Sequence, residues 1–400
     1  MIPSVRVLAA AASPGEAVRC LVTAGVGEEA ARSLAANGSA RVLLLEGLGA
    51  DEARTISALA ALHGGAVDTV HSVSGGGHRL AVAASLQILR SIFSPQQFNQ
   101  PGLAPLADRA MRLLEQESPS ATLWAFGRRS LDLSRRPCIM GILNVTPDSF
   151  SDGNTYFDRF RAVDRALEME AEGADIIDIG GESTRPFSPP VDVDEELRRV
   201  VPVVEALAGR LSIPISVDTY KAAVVRATMN AGAEIANDIS GLTFDDAMSA
   251  AVAESGAGLV VMHTRGTPDS MQLSTGYDDI MADVVSFLGQ SLHRARAAGI
   301  PDERVVIDPG IGFGKSVAGN LEILRRLSEF AGLGRPVLLG TSRKTFIGKV
   351  LGREVDERLF GTAATVALGV ARGASIFRVH DVKAMRDVAD MAHAIAYPAD

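Results

Sequence analysis

Hydrophobic and polar positions follow two regimes along the chain, and the change comes near residue 137. Beyond it, short apolar runs alternate with longer stretches whose apolar positions recur every three to four residues, the patterns of buried strands and of helices packed on one face. Strands are expected at 138–144, 175–180, 213–218, 233–239, 257–263, 304–308, 336–341 and 374–380. Helices are expected between and after them, at 158–172, 193–210, 221–230, 245–255, 278–298, 319–331, 357–372 and 381–396. Gly173, Gly232, Gly256, Gly299 and Gly373 stand at the ends of helical stretches, where a left-handed residue stops a helix. Eight such units over about 260 residues predict a closed (β/α)8 TIM barrel, for which ~250 residues is usual. A doubly wound open sheet is the competing arrangement; eight even repeats with no dinucleotide loop favour closure.

Residues 1–125 predict a small α/β domain ahead of the barrel, with 126–136 a linker and 137–400 the barrel itself. Cys20-Leu-Val-Thr23 and Arg41–Glu46 have strand character, and Glu28–Ala36 reads as a helix ending at Asn37-Gly38. A second helix opens at Asp51, a suitable N-cap, and stops at Gly64-Gly65. Val67–Val73 and His78–Ala84 predict a strand pair around Gly75-Gly-Gly77, and Leu103–Glu117 an amphipathic helix. The glycine triplet lacks the spacing of a nucleotide loop, and His63, His71 and His78 lack the spacing of a metal site. With no convergent polar set in this domain, a chain beginning near Ser130 is expected to keep its chemistry.

Composition narrows the function. Four hundred residues with a net charge of −9 argue against nucleic acid or an anionic membrane as partner, so any anion must meet a local cluster of cations. Cys20 and Cys138 lie far apart and match neither metal nor redox spacing. No run approaches the ~18 apolar residues of a spanning helix, and the stretch Val7–Ala12 is too weak for a signal peptide, so the cytoplasm is the expected location.

The strand ends carry the chemistry. They are Asn144, Gly181-Glu-Ser-Thr-Arg185, Asp218-Thr219, Asn237-Asp238, Met262-His263, Asp308-Pro-Gly310, Ser342-Arg-Lys344 and Arg378-Val-His-Asp381. A barrel gathers these eight ends on one face, where its active sites lie. Helix capping calls for short oxygen-bearing side chains, so it has no use for Arg185, Lys344, Arg378 or His380. Pro309-Gly-Ile-Gly-Phe-Gly-Lys-Ser316 looks like a phosphate loop, but Pro309 stands where that loop needs its first glycine. Its glycines are expected to turn tightly over the mouth and let the backbone approach a flat ligand. Two subsites emerge. Asp218, Asn237, Asp308 and Lys344 suit the edge of a flat heterocycle, with Met262, Ile239 and Phe313 to cover its faces. Arg378 and His380, two apart on one strand, suit a diphosphate together with Arg185 and Asn144, with or without Mg²⁺. A leaving anion without a Ser-His-Asp or Cys-His nucleophile indicates group transfer.

With these motifs in order, residues 137–396 resemble the dihydropteroate synthases of the pterin-binding barrel family. The matching stretches are Leu143-Asn-Val-Thr-Pro-Asp-Ser-Phe-Ser-Asp-Gly153, Asp178-Ile-Gly-Gly-Glu-Ser-Thr-Arg-Pro186, Ser216-Val-Asp-Thr219, Asn237-Asp238, Met262-His263, Asp308-Pro-Gly-Ile-Gly-Phe-Gly-Lys315, Ser342-Arg-Lys344 and Arg378-Val-His380. The resemblance implies condensation of 6-hydroxymethyl-7,8-dihydropterin diphosphate with p-aminobenzoate, a cytoplasmic homodimer, and sensitivity to sulfonamides. It places pterin contacts on Asp218, Asn237, Ile239, Met262, Asp308, Phe313 and Lys344. Diphosphate contacts fall on Asn144, Arg185, Arg378 and His380, with Asn144 also meeting Mg²⁺. The aminobenzoate pocket falls on Phe150, Thr184, Pro186, Phe313, Lys344 and Thr345, and the catalytic roles on Asp218, Asp308, Lys344 and Arg378. Phe187 departs from the glycine usual after the Ser-Thr-Arg-Pro motif, and Asn154 stands where a second glycine is common. A corrinoid methyltransferase would share the barrel and the pterin subsite, but would have no reason to keep both the Phe150 loop and the Arg378/His380 pair. A non-catalytic pterin-binding protein would be expected to lose loop residues.

Overall fold

The computed structural model describes residues 4–7, 14–23, 26–36, 41–70, 77–94, 97–98, 103–115, 122–127, 129–146, 155–184 and 188–397. The chain forms two compact units. One comprises Met1–Ser120 with Asp278–Gly289 and Arg326–Gly334; the other comprises Ala121–Tyr277, Gln290–Arg325 and Arg335–Asp400.

In the first unit, β1 (Ser4–Val7), β2 (Arg41–Leu48), β3 (Ala66–Val70) and β4 (His78–Ala84) form an antiparallel sheet in the order β1-β2-β4-β3. Alternation along β2 and β4 gives the sheet two apolar faces. Leu44, Ala81 and Ala83 pack with Leu21 and Ala31 of α1 (Pro14–Thr23) and α2 (Glu28–Ala36). Leu43, Leu45, Leu80 and Val82 pack with Ile56, Leu89 and Leu106 of α3 (Ala50–His63), α4 (Leu86–Ile92) and α5 (Ala104–Glu115). Cys20-Leu-Val-Thr23, expected as a strand, is the last turn of α1. Four residues of apolar character fit either element, and here Leu21 belongs to a helical face. The cap of α3 is Gly49, not Asp51. Asn37-Gly38 and two of the three glycines of Gly75–Gly77 lie outside the described residues.

A buried ion cluster completes this unit. Arg6 is fully buried and donates to Glu46 at 3.1 Å and to Glu329 at 3.0 Å. Arg326 pairs with Glu329, and Arg79 with both Glu46 and Asp279. Segments far along the sequence are thus built into the N-terminal fold.

The second unit opens with a hairpin, β5 (Leu123–Phe126) and β6 (Arg129–Asp132), where the linker over 126–136 was expected. The barrel follows as β7 (Cys138–Asn144), α6 (Thr155–Ala171), β8 (Ile176–Gly180), α7 (Val193–Leu207), β9 (Ile215–Asp218), α8 (Ala222–Ala231) and β10 (Ile235–Asp238). It continues through α9 (Met248–Ser255), β11 (Gly258–Met262), α10 (Ile280–Ala297), β12 (Val305–Asp308), α11 (Val317–Arg325), β13 (Val337–Leu339), α12 (Thr345–Leu351), α13 (Leu359–Ala371), β14 (Ala374–Val379) and α14 (Val382–Ala396). β7 to β14 are parallel and closed, with β14 paired to β7. The hairpin seals the N-terminal end. Trp124, Phe126 and Leu133 join Met140, Ile176, Ile235, Val260, Val306, Leu338 and Ile376 in one apolar layer. Trp124 Nε1 donates to the carbonyl of Arg304, just before β12, at 2.9 Å. None of the described helices is long and apolar enough to cross a membrane.

Candidate active site

Two residues beyond that apolar layer, the inward positions turn polar, because side chains two apart on a strand share a face. Asp178 on β8, Asn237 on β10, Met262 on β11, Asp308 on β12 and Arg378 on β14 stand at this level, all but Arg378 buried. Arg378 Nε donates to Asp178 Oδ2 and Arg378 Nη2 to Asp218 Oδ2, each at 2.6 Å. Asn237 Nδ2 donates to the same Asp178 Oδ2 at 3.0 Å. Burial works against the guanidinium's charge, but Asp178 and Asp218 outweigh it and hold the Arg378 pKa above its ordinary value. Burial pushes the Asp218 carboxyl up to about 7, against the pull of Arg378 and with Asp178 adding to it. Among the described residues, Asp178 Oδ1, Asp218 Oδ1 and Ser216 Oγ have no hydrogen-bond partner. Native interiors rarely leave such atoms unpaired, so these point to a ligand with several N–H donors.

The rim is built by the loops. Gly310, Gly312 and Gly314 all have positive φ, as the tight turn requires. They also pack closely against the β11 exit. A Cβ on Gly310 would sit 1.9 Å from the His263 carbonyl oxygen, and one on Gly314 would sit 2.8 Å from that of Arg265. Lys315, buried, donates to the carbonyls of Gly310 at 2.8 Å and Phe313 at 2.9 Å, and lies 2.8 Å from His263 Nδ1. It staples its own loop and does not reach outward for a phosphate. The loop in turn presents Phe313, whose ring lies 4.7 Å from Lys344 Nζ. Lys344 also donates to the Ile311 carbonyl, and burial lowers its pKa to about 8. Burial raises the Asp308 pKa, with Lys344 the main opposing influence; Asp308 Oδ1 accepts from Gly310 N at 2.7 Å.

Arg343, preceding Lys344, has φ +55, strained for a residue with a side chain. It is fixed by Asp381 through Nε at 2.9 Å, and its N–H donates to Thr362 Oγ1 at 3.1 Å. Ser342 Oγ accepts from His380 N at 3.1 Å and lies 2.9 Å from His380 Nδ1, joining the exits of β13 and β14. Asn144 ends β7, and a Cβ on Gly180 would lie 3.6 Å from both Asn144 Oδ1 and Asp218 Cβ, so glycine lets these exits close together. Ile239 is buried just beyond Asn237, Thr184 is half-buried past the β8 exit, and Thr345 is exposed at the start of α12. Phe150, Arg185, Pro186, Phe187 and Asn154 lie outside the described residues.

Sequence reasoning passed over Asp178 and Ser216. Their signal was present: a carboxylate inside Ile176-Ile-Asp-Ile179, and a serine two before Asp218, both in phase with the inward positions. His263 and Asp238, which looked like site residues, turn away. His263 meets Lys315, and Asp238 accepts from Ser240 N at 2.8 Å and Leu242 N at 2.7 Å.

The pterin binding enzyme family matches residues 140–380, which contain every inward polar position described above. The chain belongs to that family. Two relatives are the dihydropteroate synthases of Synechocystis, 45% identical over 67% of this chain and 93% of its own length, and of Escherichia coli K12, 49% identical over 64% and 89%. The solved structure of Xanthomonas albilineans dihydropteroate synthase with 4-aminobenzoic acid is 44% identical, with a TM-score of 0.65, and covers 70% of this chain and 100% of that one. The family match leaves the first unit's N-terminal fold outside it.

Proposed function

We propose that this chain joins 6-hydroxymethyl-7,8-dihydropterin diphosphate to p-aminobenzoate, forming 7,8-dihydropteroate and pyrophosphate. The observation that carries this is the inward set Asp178, Asp218, Asn237, Asp308 and Arg378 in a barrel 45–49% identical to dihydropteroate synthases. Asp218 and Arg378 hold each other. A pterin ring that offers its N–H groups to Asp218 and Asp308 competes for these carboxylates and turns part of Arg378's donor capacity towards the diphosphate. Asn144 and His380, with Arg185, would hold the phosphates.

As pyrophosphate leaves, positive charge develops on the exocyclic carbon and spreads into the dihydropterin ring. Asp218 and Asp308, ionised against the ring, stabilise it where it develops. The neutral aniline nitrogen of aminobenzoate then attacks that carbon and sheds a proton to pyrophosphate or solvent. Phe313, Lys344, Thr184 and Thr345, with Phe150 and Pro186, would hold the aminobenzoate, so that orientation supplies most of this step. A sulfonamide, presenting the same aniline, would compete for that pocket.

Mg²⁺ fits one way. Among the described residues no group of three His, Cys, Asp or Glu could hold a metal, so the ion would arrive on the diphosphate, with Asn144 as its protein oxygen. There it would neutralise leaving-group charge.

We also infer a cytoplasmic homodimer. Phe360 and Leu368 on α13 and Met391 and Ile395 on α14, two helices packed together, are 84%, 52%, 65% and 74% exposed, an apolar face that a second copy would cover. Light scattering on the purified protein reads the dimer directly. The activity is tested by mixing protein, pterin diphosphate, aminobenzoate and Mg²⁺: dihydropteroate is the expected product, and hydrolysed pterin without coupling would refute the assignment.

A further inference from the structure

Next to the pterin subsite, at the exits of β8 and β9, lies a second cluster of charge. Lys221 Nζ is hydrogen-bonded to both Glu182 Oε2 and Glu196 Oε2, and Tyr220 OH donates to Glu182 Oε1 at 2.8 Å. The Glu196, Glu182 and Lys221 side chains are only 1%, 5% and 12% exposed. One ammonium faces two buried carboxylates, and burial raises the Glu196 pKa against the opposing pull of Lys221, so the charge of the cluster is finely balanced. Thr219, next to Asp218, also lowers the Glu196 pKa through its side chain, against the effect of burial.

The cluster's position gives that charge a use. Glu182 follows Gly180-Gly181 as β8 ends, Glu196 comes from the first turn of α7, and Lys221 stands three residues beyond Asp218. The backbone of Gly180 is close enough to Asp218 that a Cβ there would touch the Asp218 Cβ at 3.6 Å. The two strand exits bordering Asp218 are therefore tied to each other and to α7 by the same three side chains. We propose that Glu182, Glu196 and Lys221 are positioning residues that fix Asp218 at the pterin subsite and set the charge it presents to the ligand. This rests on the pterin-binding reading above.

The groups facing Asp218 come from several elements. Burial pushes its carboxyl up; Arg378 of β14 opposes this, and Asp178 of β8, Glu196 of α7 and Glu182 reinforce it. Lys344, at the exit of β13, is the other cation coupled to it. Lys221 acts by neutralising the two glutamates. An ionised Asp218 accepts the ring N–H, so pterin affinity should be full at alkaline pH and fall as the pH drops through Asp218's titration.

The probe is 6-hydroxymethyl-7,8-dihydropterin, which has no phosphate to titrate. Calorimetry on the full chain between pH 5.5 and 8.5 yields the midpoint of the loss of affinity. Glu182→Gln and Glu196→Gln should move that midpoint down by about one pH unit, and Lys221→Met should move it up by about as much. Lys221→Arg should stay at the wild-type midpoint. Thermal melts identify folded variants, and Glu182→Gln keeps the test open if Glu196→Gln does not fold. A merely structural cluster would weaken binding at every pH alike. Midpoints that stay put, or that move the same way whichever sign of charge is removed, overturn the proposal. Wild-type protein that binds no pterin at any pH overturns the subsite reading on which it rests.

Discussion

Asp178 sits at the centre of the site's geometry, because one of its oxygens serves both Arg378 and Asn237. Replacing it with asparagine keeps an acceptor for Asn237 but takes from Arg378 one of its two counter-charges. Hydrogen bonds to charged groups contribute roughly 1.5–3 kcal/mol, so Asp178→Asn should weaken pterin diphosphate binding by about ten- to a hundredfold. The KM for aminobenzoate should stay near wild type; an equal rise in both would place Asp178 in the fold and not in the pterin subsite. Lys344 gives the site an alkaline limit. Its pKa is lowered to about 8 by burial, so it is charged below that pH and neutral above it. Turnover should fall as the pH rises through about 8, as an activity profile at saturating substrate would measure. The inward positions of Asp218, Asn237, Asp308 and Arg378 were legible in the sequence because each stands at or near a strand end, where the apolar run breaks. Asp178 was not, since it lies inside the run with isoleucines on both sides. Only the two-residue phase shared with Met140-Gly-Ile142 and Ile176 could have marked it as inward.

At the level of elements, the eight barrel strands were readable because fully buried strands are short and continuously apolar. The β5–β6 hairpin was not. Its strands are four residues each, and it lies in a stretch whose polar residues suggested a linker. What it does is physical: Trp124 and Phe126, edge to face at 5.5 Å, fill the barrel's N-terminal end. Trp124→Ala would leave a cavity there and orphan the Arg304 carbonyl, destabilising the protein by about 3–5 kcal/mol. Since the hairpin closes the end away from the polar residues, the folded fraction should keep wild-type turnover. Urea unfolding combined with assays on the folded fraction checks both parts. The loop 309–316 teaches a different lesson. Its glycines were visible as a tight turn, but the segments that the turn packs against were not. Here His263 and Arg265 come from a strand exit some fifty residues earlier.

At the scale of the whole molecule, the order of domains was legible, but the composition of the first unit was not. Nothing local in Asp279, Arg326 or Glu329 says that they complete a sheet that begins at Ser4. A chain beginning near Ser130 was expected to keep its chemistry. Such a chain would leave Glu329 and Asp279 without Arg6 and Arg79, and the segments 278–289 and 326–334 without most of their unit. Removing one partner of a buried pair costs about 3–5 kcal/mol, so Arg6→Met should lower the melting temperature markedly, and the truncated chain should fail to stay folded and monodisperse. A truncated chain that melts like the full one would show the first unit to be separable. If the inward polar set of the barrel is a pterin diphosphate site, one titration will show it. Calorimetry with 6-hydroxymethyl-7,8-dihydropterin diphosphate should show binding to the wild-type protein and at least about a tenfold loss for Asp308→Asn, whose side chain keeps its shape but lacks the charge facing the ring. Equal affinity for the two proteins, both folded by thermal melt, would contradict it.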